Sequence, residues 1–135
     1  MKTMGTSILI ILFVGMAAFI VVLNMTGDKD KGEAQSIDEI VKYSYQTPEI
    51  TTDLNDGSFV RIQFQIITDG KDAQEEISKR DFQLKNILIK ELAKLSEEDF
   101  KSGLTDLEAT VKTKLNELMT EGHINDVYTI SKILQ

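Results

Sequence analysis

Ser58-Phe-Val-Arg-Ile-Gln-Phe-Gln-Ile-Ile-Thr-Asp69 alternates apolar and polar side chains through most of its length. Val60, Ile62, Phe64 and Ile66 fall on one side, while Arg61, Gln63 and Gln65 fall on the other. A period of two is that of a strand with one face buried. Just upstream, Glu49-Ile-Thr-Thr-Asp-Leu54 is rich in β-branched residues, and Asn55-Asp56-Gly57 lies between the two runs. Such a turn supports a hairpin, because glycine accepts positive φ. The acids of this loop could instead suggest a calcium loop starting at Asp53. That reading fails, because the sixth position holds Ser58 where glycine belongs and the twelfth holds Phe64 where the closing acid belongs.

Downstream, the spacing predicts a long helix over about 72–95, with Ala73, Ile77, Leu84, Leu88, Leu92 and Leu95 on one stripe. Arg80, Asp81 and Glu91 lie along or beside that stripe and read as edge residues whose charged heads reach water. A thinner line of Phe82, Ile89 and Ala93 lies on a different face, where it either packs on another element or marks a subunit contact. Ser96-Glu-Glu-Asp99 opens a short helical turn closed by Gly103. Thr105 and Glu108 have the spacing of a capping box, ahead of a stripe formed by Leu104, Leu107, Val111, Leu115 and Leu118. Gly122 is expected to end this helix as a left-handed cap, with His123 a loop residue beside it. Ile124 to Leu134 reads as a last strand, with Tyr128 and Ile130 in phase.

Upstream of the hairpin, Ser36-Ile-Asp-Glu39 signals a short helix reaching about Lys42, which Tyr43 to Pro48 then breaks. Before it, residues 26–35 are polar and charged and read as a flexible stalk with a reach of roughly 20 Å. Residues 4–25 carry no charge, and Ile8 to Leu23 is an unbroken apolar run. A helix of this length would span about 33 Å, enough for a hydrocarbon core of about 30 Å. A cleaved signal peptide fits less well, because the nearest small-residue site, Gly32-Glu33-Ala34, lies inside a charged stretch. Residues 1–25 are therefore expected to be a cytoplasmic stub and single transmembrane helix, with the N-terminus inside and the rest of the chain exported.

The 135 residues carry 15 Lys and Arg against 22 Asp and Glu. All 22 acids and 14 of the basic residues follow residue 25, a net of −8 on the far side of the membrane segment. Such a balance opposes nucleic-acid binding. With no cysteine and a single histidine, disulfides, thiol catalysis and the usual zinc sites fall away. No phosphate-binding loop, Gly-x-Ser-x-Gly elbow or zinc helix is present. No catalytic, cofactor-binding or metal site is expected, nor a small-molecule substrate. The expected architecture is α+β: a three-stranded sheet, hairpin plus C-terminal strand, on two main helices.

Glu49 to Ile66 resembles the flagellar basal-body-associated FliL family. Arg80-Asp-Phe-Gln-Leu-Lys-Asn-Ile87, Leu95-Ser-Glu-Glu-Asp-Phe100, Lys114-Leu-Asn-Glu-Leu118 and Asp126-Val-Tyr-Thr-Ile-Ser-Lys132 are similar to it in order and spacing, as is the apolar N-terminus. The resemblance implies a single-pass protein of the bacterial cytoplasmic membrane with a FliL-like, stomatin/prohibitin-like domain over 36–135 outside that membrane. It also implies a homo-oligomeric ring around the ion-driven stator units, other basal-body proteins as partners, and a part in flagellar rotation, swimming, swarming and chemotaxis. No catalytic residues come with it. Two other classes are compatible with the residues alone: a membrane-anchored scaffold of an unrelated envelope complex such as a secretion apparatus, and an exported carboxylate enzyme.

Overall fold

The computed structural model describes residues 35–135. Its elements are α1 (Ile37–Lys42), β1 (Ser44–Gln46), β2 (Ile50–Asp53), β3 (Phe59–Thr68), α2 (Lys71–Lys79), α3 (Asp81–Leu92), α4 (Glu97–Ser102), α5 (Leu104–Leu118) and β4 (Ile124–Leu134). The expected membrane segment and all but the last residue of the stalk lie outside the described residues. Among the described residues no helix is long and apolar enough to cross a membrane.

The α+β class holds, with β3 at the centre of an antiparallel sheet. β2 pairs with its first half from Ile50↔Ile62 to Asp53↔Phe59, and β4 runs along its other side from Val60↔Leu134 to Thr68↔Ile124. The sheet has four strands, not three. β1 pairs with the second half of β3, from Ser44↔Ile67 to Gln46↔Gln65. Three residues are too few for a period of two to register in sequence. Pairing continues one residue further, where the Thr47 N–H donates to the Phe64 carbonyl and the Thr47 hydroxyl accepts from the Phe64 N–H, both at 3.0 Å. Pro48 has no N–H and stops it.

The helix expected over 72–95 is two helices. At Arg80 (φ −89°, ψ 13°) the backbone leaves helical geometry, and its N–H is shared between the Glu76 and Ile77 carbonyls at 3.0 and 3.1 Å. Arg80 and Asp81 are therefore a joint rather than a solvated edge. The Arg80 guanidinium donates to Glu76 at 2.9 Å, and Asp81 accepts from the Tyr45 hydroxyl at 2.7 Å. The stripe survives the joint, because Ala73, Ile77, Leu84, Leu88 and Leu92 are all buried. Ile77, Leu84, Leu88 and Leu92 meet Val60, Ile62, Phe64 and Ile66 of the sheet, Leu107, Val111 and Leu115 of α5, and Phe100 of α4 in one core.

The α5 ends also differ from expectation. The helix begins at Leu104 without a side-chain cap, so the Thr105–Glu108 box does not form. Glu108 instead reaches β4, where it accepts from the N–H and hydroxyl of Thr129 at 2.6 and 2.9 Å. Asn116 makes a matching pair of bonds with the Ile124 backbone, at 2.8 and 3.0 Å. Helix α5 thus borders the outer edge of β4, hydrogen-bonding backbone that an edge strand leaves open. It ends at Leu118 with Met119 extended, so Gly122 is not its cap. Gly122 lies in the turn into β4 at φ +152°, where a β-carbon would sit 2.4 Å from an Asp69 carboxylate oxygen. Only glycine fits such a contact. The Ser96–Asp99 capping box is present, with bonds of 3.2 and 3.3 Å.

Candidate functional site

Among the perturbed titratable groups, Glu76 and Tyr45 are shifted most, and each ties elements together. Glu76 on α2 is almost fully buried. Burial alone would raise its pKa, yet the acid is held down to about 2 by the N–H groups of Glu121 and Thr120, the Arg80 guanidinium and the Thr120 hydroxyl. A carboxylate whose oxygens are engaged by backbone amides is a clamp between α2 and the turn after α5. Asp72, Glu75 and Glu121 share this recess with Lys79. The Tyr45 phenol is pushed up to about 12, first by burial and then by its bond to Asp81. It fastens β1 to the start of α3.

The hairpin turn considered as a calcium loop is a clip. Asn55 donates its backbone N–H to the Leu95 carbonyl and its side-chain amide to the Lys94 carbonyl, at 2.9 and 3.1 Å. Asp56 accepts from the Glu97 and Ser58 N–H groups, which hold its pKa below the usual carboxylate range. The turn therefore receives the end of α3 and the start of α4, and its acids serve those amides. Among the described residues no group of three or more His, Asp or Glu is placed to hold a metal ion. His123 is exposed, in the turn between α5 and β4.

Exposed apolar surface is what remains for function. Among the described residues no other element covers the thin line read from the sequence: Phe82 is 71% exposed, Ile89 is 40% exposed and Ala93 is exposed as well. Lys85 and Lys90, both exposed, flank this strip on α3. Next to it a shallow groove of about 560 Å³ separates α3 from α5, lined by Phe82, Gln83, Asn86, Ile87, Lys114 and Glu117 among others. On the outer face of the sheet, Phe59, Tyr128, Ile130 and Ile133 are also exposed. The register shift at Gln63/Phe64 leaves Ile130 as the extra residue on β4. The sequence marks α1 as a short helix but not its apolar face. Ile37 and Val41 on that helix are 70% and 60% exposed, and α1 buries none of its own side chains. Their i, i+4 spacing was the available signal, and on six residues it was too short to stand out.

The model of the family described as flagellar basal body-associated protein FliL matches residues 44–135. The chain is also 37% identical over 124 residues to the flagellar protein FliL of Bacillus subtilis (strain 168), covering 90% of this chain and 86% of that one.

Proposed function

The chain belongs to the FliL family of flagellar basal body-associated proteins, and on that premise we propose that it acts as a membrane-tethered accessory of the flagellar motor. The family is one of flagellar accessory proteins and is not known as an enzyme family. In the proposed reading residues 4–25 cross the cytoplasmic membrane, 26–35 form the stalk, and the folded domain stands outside. Copies assemble as a ring around stator units and support rotation and, through it, swimming, swarming and chemotaxis.

The uncovered strip of Phe82, Ile89 and Ala93 carries the self-association part of this proposal. Water-exposed Phe and Ile in line on one helix leave apolar area that a neighbouring copy would remove from solvent. Tethering supports it further, because chains confined to one membrane meet at a high effective concentration and need little contact area. Ile89→Glu tests the reading. The exposed site should tolerate the charge without loss of fold, and oligomers of the full chain measured by light scattering should disappear. Unchanged assembly would reject the strip as a contact.

A further inference from the structure

We infer that copies join head to tail, the α1 face of one chain seated on the α3 strip of the next. This rests on the self-association proposed above and adds the second half of the contact. Helix α1 exposes Ile37 and Val41 one turn apart, with the acids Asp38 and Glu39 in the same helix. Its one base, Lys42, lies over its own Tyr43 ring at 5.4 Å. Helix α3 exposes Phe82 and Ile89, in line with Ala93 just past its end, between Lys85 and Lys90. Among the described residues Asp38, Lys85 and Lys90 take part in no ion pair.

Charge selects the pairing. Seating α1 on another α1 would bring acid against acid, and α3 on α3 would bring lysine against lysine. Only α1 on α3 joins opposite signs around an apolar centre. The packing of α1 points the same way. A helix of six residues is far below the length that is stable alone, roughly 12–15 residues, so one with no fully buried side chain gains from a second surface. A lipid surface is the other neighbour that α1 could meet, since only about ten residues separate it from the apolar segment. Its two acids, in a domain rich in acids, oppose an anionic membrane. An interface built from two different patches is heterologous, and repetition closes a ring where the rotation permits.

The chain has no cysteine, so engineered thiols are its only ones. The test uses the full chain in membranes, oxidised to form disulfides. Val41→Cys and Ile89→Cys combined on one chain should give a ladder beyond the dimer, and each alone should give no cross-link. The two single variants mixed should stop at the dimer, because each contributes one cysteine. Lys85→Glu with Lys90→Glu should remove the ladder, and adding Asp38→Lys and Glu39→Lys should restore it. Dimers from Ile89→Cys alone would overturn head-to-tail joining while leaving self-association intact. Oligomers that persist with no cross-link, and with the Val41 position quenched by lipid-borne probes, would overturn it in favour of a membrane-facing α1. A chain that is monomeric on native gels, with no cross-link, would overturn both this inference and the self-association beneath it.

Discussion

Replacing Glu76 by Gln removes the charge but keeps the shape of the clamp. In the native domain one carboxylate oxygen accepts from the N–H groups of Thr120 and Glu121 at 3.0 and 2.7 Å, and the other accepts from the Thr120 hydroxyl and the Arg80 guanidinium at 3.1 and 2.9 Å. An amide offers one acceptor oxygen, so its NH₂ must face donors on one side or the other. Losing charge-assisted bonds at a buried site costs about 2–3 kcal/mol. Linkage leads to a similar magnitude. A folded pKa of about 2 against an ordinary 4.5 corresponds to roughly 3 kcal/mol. Because the folded pKa is depressed, this contribution is complete above pH 4.5 and is lost as pH falls toward 2. Urea unfolding of residues 35–135, followed by circular dichroism, reads both effects. At pH 7 the Gln variant should unfold roughly 1–2 M urea earlier. The gap between the two proteins should then shrink through the acid range. A gap below about 0.5 kcal/mol at pH 7, within the range of ordinary surface changes, or one that stays constant down to pH 2, would refute the clamp.

Gly122→Ala should lower stability by about 2–4 kcal/mol and Tm by more than 10 °C in a calorimetric scan, combining backbone strain with overlap against Asp69 and Ala73. A chain ending at Gly122 loses β4, its pairing along β3 and the buried Ile124 and Val127, so it should not give a cooperative melt. Melting like the full domain would contradict the sheet topology. In an ultraviolet pH titration of the three tyrosines, Tyr45 should ionise near pH 12. Asp81→Asn should bring it down without returning it to an ordinary value, since burial is the larger cause.

Period-two alternation from Val60 to Ile66 identified β3, and both the hairpin and β4 followed from β-branched runs beside glycine turns. The elements that escaped were short or depended on partners far away in sequence. β1 has three residues. The α2–α3 joint keeps the apolar stripe in phase across Arg80, so periodicity reads straight through it, and one of its contacts, from Asp81 to Tyr45, spans 36 residues. Glu108 had the right spacing for a local cap but bonds Thr129, 21 residues on, because the edge of β4 offers an unpaired N–H there. Gly122 was legible as a positive-φ residue but not as a close-packed one. Of the candidate surface, the strip on α3 could be read from spacing, but its exposure could not, since a second apolar line is equally suited to burial. The two-residue face of α1 became visible only when the structure showed that none of the described residues covers it.

The central claim is that this domain works at the flagellar motor, held there by contacts between copies. It is tested most directly by imaging the fluorescently tagged full chain in its own cell beside labelled basal bodies, with the Ile89→Glu chain at equal abundance in parallel. The account predicts foci of the native chain at flagellar bases and markedly fewer with Ile89→Glu. Uniform membrane signal from the native chain in cells with assembled, rotating flagella would contradict it.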